Sequence, residues 1–115
     1  MQYATAKAGI VLVNINPAYR TSELSFVLSQ SGCRALVAAR AFKSSDYAAM
    51  VDQVRPTLPT LDRVVYLESD EWRELLDGAD VELADRQFDD PINIQYTSGT
   101  TGFPKGASLS HHNIL

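Results

Sequence analysis

A single loop near the end of the sequence gathers several groups that bind phosphate. Residues 97–106 read Thr-Ser-Gly-Thr-Thr-Gly-Phe-Pro-Lys-Gly, and Tyr96 precedes them. The hydroxyl groups, the backbone N–H groups that the glycines leave accessible and the charge of Lys105 can all be presented to one ligand. Polyphosphate, with many acceptor oxygens and much negative charge, is the ligand that fits this set best.

Two better-known phosphate-binding patterns do not match this loop. A Walker A loop needs Gly-Lys followed by Ser or Thr, whereas here a proline precedes the lysine and a glycine follows it. A Rossmann fingerprint needs G-x-G, which Gly99 and Gly102 do not form. The plain alternative is a flexible surface turn. Three features argue against a flexible turn. A buried strand is predicted directly before the loop, a proline precedes the lysine, and a pair of histidines follows shortly after the loop.

The elements that must position the loop alternate between strand and helix. Apolar runs predict strands at 10–13, 35–38, 64–67 and 92–97, with a shorter strand at 106–110. One helix is predicted before the first strand and others between the strands up to 92–97, and Gly9, Gly32, Pro56 and Gly78 mark helix ends. This alternation predicts an α/β fold with a mainly parallel sheet and a single domain over 1–115.

Apolar stripes predict which helix faces are buried. The three stripes are Leu24, Val27, Leu28 and Ser31; Tyr47, Met50, Val51 and Val54; and Trp72, Leu75 and Leu76. We expect the third stripe to be core and not a ligand pocket. Thr21 or Ser22 is the predicted cap of the first of these helices, and Ser44 or Ser45 that of the second. Tyr96 is interpreted as sheet packing.

Composition limits the classes of partner. The 115 residues carry a net charge of -4 and a pI of about 5.0, which argues against nucleic acid and acidic membrane surfaces. The one cysteine, Cys33, has no internal disulfide partner. Neither a signal peptide nor an apolar run of about 18 residues is visible, so no transmembrane segment is predicted. We expect a cytoplasmic protein.

Two segments carry a family resemblance. The loop at 97–106 resembles the phosphate-binding signature of the adenylate-forming, or AMP-binding, superfamily, which includes acyl-CoA synthetases, luciferases and peptide synthetase adenylation domains. Residues 16–24, Asn-Pro-Ala-Tyr-Arg-Thr-Ser-Glu-Leu, resemble the N-P-x-Y-x-x-x-E-L stretch of fatty-acyl-CoA ligases. Peptide synthetases tend to have Asp-Pro-x-Tyr-Pro there. Residues 110–115 are similar to the segment that follows the loop in acyl-CoA ligases, so the resemblance covers about 8–115.

The resemblance implies an ATP-dependent ligase reaction. A carboxylate attacks the α-phosphate of Mg-ATP to give an acyl-adenylate and pyrophosphate, and the thiol of coenzyme A then releases AMP. By this resemblance, ATP, Mg²⁺ and coenzyme A are the cofactors. His111 matches a histidine near the acyl carboxylate and the α-phosphate, with a packing role as the alternative, and no protein metal site is expected. The implied cofactor-binding residues are Thr97, Ser98, Gly99, Thr100, Thr101, Gly102, Phe103, Pro104 and Lys105.

The resemblance also implies that much of such an enzyme is absent from 1–115. We therefore expect an incomplete subdomain of the N-terminal domain, ending just after the loop and inactive alone. One alternative is a non-catalytic nucleotide-binding module, or a subunit complemented by a second polypeptide. Another is an adenylating enzyme for aryl or amino acids. The residues that would decide the class of acid are not among these 115.

Overall fold

The computed structural model describes residues 1–78, 85, 87, 89–97 and 104–110. The helices are α1 (Gln2–Ala8), α2 (Thr21–Ser31), α3 (Tyr47–Val54), which continues into a 3-10 turn at Arg55–Thr57, and α4 (Asp70–Leu76). The strands are β1 (Leu12–Asn14), β2 (Ala35–Ala38), β3 (Ala41–Phe42), β4 (Ser45–Asp46), β5 (Arg63–Tyr66), β6 (Pro91–Thr97) and β7 (Lys105–Ser110). The chain divides into two compact units, Met1–Pro17 with Asp80–Leu115, and Ala18–Ala79.

The first unit is built on a three-stranded sheet in the order β1-β6-β7. β1 and β6 are parallel, with Leu12 opposite Asn93, and β6 and β7 are antiparallel, with Thr97 opposite Lys105. Helix α1 contacts β1 and β6. The strands predicted at 92–97 and 106–110 are therefore confirmed, each with one further residue at its start.

β1 begins at Leu12, two residues later than the strand predicted at 10–13, because Ile10 belongs to the C-terminal cap of α1. Gly9 adopts a left-handed conformation with φ 76°, the Gly9 N–H donates to Ala6 O, and the Ile10 N–H donates to Thr5 O. This is the double hydrogen bond of a Schellman cap. Ile10 and Val11 remain 57% and 38% exposed, so the prediction of a run buried on both faces is wrong.

The second unit contains a parallel pair and a small hairpin. β2 and β5 are parallel, with Ala35 opposite Arg63, and β3 and β4 are antiparallel, with Phe42 opposite Ser45. Helices α2 and α3 contact each other. The buried apolar residues of this unit are Leu24, Val27, Leu28, Val51, Val54, Leu58, Leu61 and Val65. The stripes predicted on α2 and α3 thus supply much of its core.

The predicted helix caps are wrong in both helices. α2 is capped at Arg20, whose backbone N–H donates to Glu23 Oε2 over 3.1 Å, so Thr21 is already helical. α3 is capped by Asp46, whose carboxylate accepts from the Ala49 N–H over 3.0 Å. The β3–β4 hairpin extends to Asp46, so the helix can begin only after it. The turn of this hairpin contains Lys43, whose φ is 54°.

The prediction that the stripe of α4 is core is also wrong. Leu75 is 47% and Leu76 66% exposed, and Trp72 is half-buried. The short helix approaches β5 on the side where Glu71 forms an ion pair with Arg63.

The α/β class is confirmed, with mixed sheets. Of the strand pairings in the described residues, β1–β6 and β2–β5 are parallel, while β6–β7 and β3–β4 are antiparallel. Among the helices that the structure describes, none has the length and apolar character needed to cross a membrane.

Candidate functional site

The β6–β7 hairpin joins the two ends of the predicted phosphate loop. Thr97, the last residue of β6, lies directly opposite Lys105, the first residue of β7. The Thr97 hydroxyl donates to the backbone carbonyl of Lys105 over 3.5 Å. Residues 98–103 and His111 lie outside the described residues, so their predicted roles stay predictions. The first and last residues proposed for the loop are therefore brought together at its base.

The residues at the base of the loop differ in exposure. Thr97 and Lys105 are exposed, whereas Pro104 is buried. The ammonium group of an exposed lysine can meet an anionic ligand from solvent, and the Thr97 hydroxyl can donate to that ligand once it gives up its long bond to the Lys105 carbonyl, because it has a single O–H. A buried proline is suited to shaping the chain before the lysine, because its ring fixes φ.

Strand register places several polar residues on the same side of the sheet as this pair. Side chains alternate between faces along a strand, and residues opposite each other share a face. Asn93 and Gln95 on β6 therefore lie on the face of Thr97 and Lys105, and Asn14 of β1 is opposite Gln95. We call these five residues the polar face, and Leu12 and Leu109, both opposite Asn93, lie on the same side of the sheet. The polar face leads along β6 towards the loop.

Asn93 is the deepest residue of the polar face. Its side chain is 0% exposed and accepts a long hydrogen bond of 3.5 Å from the Asn14 amide. The Asn93 Nδ2 atom is buried and has no hydrogen-bond partner among the described residues. This residue was not among those predicted from the sequence. The signal was an amide in the middle of an apolar strand, Ile92-Asn93-Ile94.

The opposite face of the hairpin is apolar near the loop. Tyr96 lies opposite Gly106, and a Cβ atom built on Gly106 would lie 3.0 Å from Tyr96 Cζ and 3.2 Å from Ile94 Cγ2. The ring therefore occupies the space above the glycine. This agrees with the interpretation of Tyr96 as a packing residue.

The second family-like segment, 16–24, serves the fold of the second unit. The Arg20 guanidinium donates to Ser45 Oγ over 3.1 Å, and Leu24 is buried. The backbone N–H groups of Glu23 itself and of Arg20 lower the pKa of the Glu23 carboxyl below its ordinary value of 4.5. Hydrogen bonds to the ionised form favour it. This segment thus fixes the start of α2 and links it to β4.

Two further expectations can be compared with the described residues. Cys33 is half-buried with its Sγ 3.0 Å from Ser31 Oγ, as suits a packing residue. Within the described part of the chain, no group of three or more His, Cys, Asp or Glu residues is arranged to hold a metal ion.

Comparisons with known proteins agree with the family resemblance. Residues 1–115 match the model of the family described as AMP-binding enzyme. The chain is 43% identical to the mitochondrial medium-chain acyl-CoA ligase ACSF2 of Danio rerio, with 100% of this chain and 23% of that protein aligned.

Solved structures show the same fold. The fatty acyl CoA synthetase of Mycobacterium tuberculosis has a TM-score of 0.76 and 31% identity, over 96% of this chain and 21% of that one. The anthranilate CoA ligase AuaEII, crystallised with anthranoyl-AMP, has a TM-score of 0.81 over 96% of this chain and 21% of that one. Its identity of 24% supports the fold alone.

The chain thus spans about a quarter of the length of the curated relatives it matches, 23% in the Danio rerio protein. The family model nevertheless covers every residue from 1 to 115. The loop at 97–106 and the segment at 16–24 are the parts of the sequence that carried the resemblance. The chain belongs to the AMP-binding enzyme family, and its relatives include acyl-CoA ligases.

Proposed function

We propose that this chain is part of the N-terminal domain of an ATP-dependent fatty-acyl-CoA ligase and contributes the loop that holds the phosphates of ATP. The observation that carries the proposal is the pairing of Thr97 with Lys105 at the base of the loop, where both residues are exposed. The reaction joins a carboxylate to the α-phosphate of ATP with loss of pyrophosphate. Transfer of the acyl group to the thiol of coenzyme A then releases AMP.

The residues of the chain suit the charge that develops in the first step. The departing pyrophosphate gains negative charge, and groups positioned before the reaction stabilise that charge without reorganising. Lys105 would supply a positive charge and Thr97 a hydroxyl donor. Ser98, Thr100 and Thr101 would add hydroxyl donors, and Gly99 and Gly102 would let the backbone approach the phosphate oxygens.

Phe103, His111 and Mg²⁺ also have roles in this proposal, and none of the three is among the described residues. Phe103 would shape the loop together with Pro104. His111 would lie near the acyl carboxylate and the α-phosphate. Mg²⁺ would be carried by the phosphates of ATP and would neutralise part of their charge.

A fatty acid is the substrate class that the relatives favour. The Danio rerio protein is named as a medium-chain acyl-CoA ligase, and the Mycobacterium tuberculosis structure as a fatty acyl CoA synthetase. The solved aryl-acid ligase is less than 25% identical and therefore supports only the shared fold. The cytoplasmic location stays a prediction, and the Danio rerio relative is named as mitochondrial.

A chimera tests the proposal in a complete enzyme. The matching segment of the Danio rerio ligase is replaced by this chain, which is 43% identical to it, and fatty-acid-dependent pyrophosphate release and acyl-CoA formation are measured. We expect an active chimera that loses pyrophosphate release on Lys105→Ala. Lys7→Ala, which removes an exposed lysine of α1, is the matched control and should retain it.

Two results would contradict the proposal. A folded but inactive chimera would contradict the acyl-CoA ligase function of the segment. An active chimera in which Lys105→Ala releases pyrophosphate as fast as Lys7→Ala would contradict the role of the loop.

A further inference from the structure

Gly106 is required by packing and not by backbone conformation. It lies in β7 with φ outside the left-handed region, so another residue could adopt its backbone angles. A Cβ atom at this position would lie 3.0 Å from Tyr96 Cζ, 3.2 Å from Tyr96 Cε1 and 3.2 Å from Ile94 Cγ2. These separations are shorter than ordinary carbon contacts of about 3.5–4.0 Å. The aromatic ring therefore fills the place of the missing side chain.

This packing selects one register of the hairpin. A slip by one residue would place Lys105 or Ala107 opposite Tyr96, and both carry a Cβ atom that would push the ring away by a few tenths of an ångström. A slip by two residues would place Pro104 or Ser108 there, with the same consequence. Among residues 104–110, only Gly106 lacks a Cβ atom and can lie under the ring without displacing it. Glycine in a strand often marks such a close approach.

Register decides where the lysine of the loop points. A slip of one residue moves every side chain of a strand to the other face. Lys105, the neighbour of Gly106, would then leave the face that it shares with Thr97. The other end of the same ladder is irregular between Pro91 and Asn93, so it specifies the register less well.

We infer that Tyr96 and Gly106 form a positioning pair that holds Lys105 at the base of the loop, opposite Thr97. The inference rests on the proposed function, because it assigns the pair to the alignment of the phosphate-binding lysine. Neither residue needs to touch the nucleotide. The pair acts through Lys105, so its loss should weaken the interaction with ATP phosphates more than the interaction with the carboxylic acid.

The test measures steady-state kinetics of the chimeric ligase with three variants of the pair, Lys105→Ala and one control. Gly106→Ala should raise the KM for ATP about tenfold, a factor that corresponds to the loss of one modest interaction, and leave the KM for the acid within about twofold. Tyr96→Leu should also raise the KM for ATP. In the double variant, the smaller side chain at position 96 makes room for the methyl group introduced at position 106, so the KM for ATP should be lower than in Gly106→Ala alone. Ser108→Ala, two residues further along the exposed face of β7, is the control and should change neither constant.

The possible outcomes distinguish a failure of the positioning pair from a failure of the proposed function. Equal increases of both KM values, or increases that multiply in the double variant, would indicate general destabilisation and overturn the positioning pair. If Gly106→Ala does not fold, an unchanged KM for ATP in Tyr96→Leu would overturn it as well. A raised KM for ATP in Lys105→Ala with an unchanged value in Gly106→Ala would overturn only the pair. An unchanged value in Lys105→Ala would overturn the proposed function.

Discussion

The side-chain amide of Asn14 on β1 donates to the side-chain carbonyl of Asn93 on β6 over 3.5 Å, while Asn93 Nδ2 is buried without a partner. At this length the hydrogen bond is weak, since good N–H···O bonds are about 2.7–3.2 Å long. A buried donor without a partner costs about 1–3 kcal/mol. Asn93 therefore contributes less to stability than an apolar residue of similar size would.

Replacement of this amide should stabilise the chain. We expect Asn93→Leu to raise the free energy of unfolding by about 1 kcal/mol, because it removes the unpaired buried donor and keeps the side-chain volume similar. The measurement is urea unfolding followed by circular dichroism. Asn14→Ala is the control and should change the value by less than about 1 kcal/mol, because the bond that it removes is long. A loss of more than about 1 kcal/mol in Asn93→Leu would contradict this account.

The cap of α3 should contribute measurably to stability. The Asp46 carboxylate accepts from the Ala49 N–H over 3.0 Å and satisfies one of the donors at the helix start. We expect Asp46→Ala to lower the free energy of unfolding by about 1 kcal/mol in the same urea experiment. Ser44→Ala, in the turn of the adjacent hairpin, should have little effect. A larger loss in Ser44→Ala than in Asp46→Ala would place the cap at Ser44, one of the two residues predicted from the sequence.

The start of α2 should weaken in acid. Hydrogen bonds from the backbone N–H groups of Glu23 and Arg20 hold the pKa of the Glu23 carboxyl below its ordinary value of 4.5. A group with a lowered pKa in the folded state stabilises the fold above its ordinary pKa and loses that contribution as the pH falls through the lowered value. Glu23→Gln should therefore reduce stability at pH 7 and make progressively less difference below the ordinary value of 4.5.

The check is the free energy of unfolding of the wild type and of Glu23→Gln, measured at several pH values from neutral to acidic. Glu74→Gln, an exposed carboxylate on α4, is the matched control for the removal of one negative charge. A constant difference between wild type and Glu23→Gln across the pH range would show that the ionised carboxylate does not cap the helix.

Local signals in the sequence were enough to predict much of the fold. The strand at 35–38 has the predicted bounds, and the glycines at 9 and 32 end their helices in left-handed conformations. These features depend on neighbouring residues alone. The hairpin of β3 and β4 was missed because two-residue strands are too short to show a periodic pattern. That hairpin in turn moved the cap of α3 to Asp46.

The two residues at the base of the loop could be predicted from the sequence, but the contacts that hold the hairpin in place could not. Thr97 and Lys105 were predicted from the motif, and the antiparallel register brings them together. The packing of Tyr96 on Gly106 depends on that register, and the contact between Asn14 and Asn93 joins residues 79 positions apart. A linear pattern does not specify such distant pairings. The exposure of Leu76 likewise depends on what the rest of the unit places against α4.

Whether the loop binds nucleotide phosphates is decided by a thermal melt of the chimeric ligase, followed by far-UV circular dichroism with and without Mg-ATP. A ligand that binds the folded state raises the melting temperature by mass action. We predict an upward shift that grows with the concentration of Mg-ATP, persists in Lys7→Ala and is lost or strongly reduced in Lys105→Ala. No shift in the chimera, or an equal shift in its Lys105→Ala variant, would contradict the claim that this loop binds nucleotide phosphates.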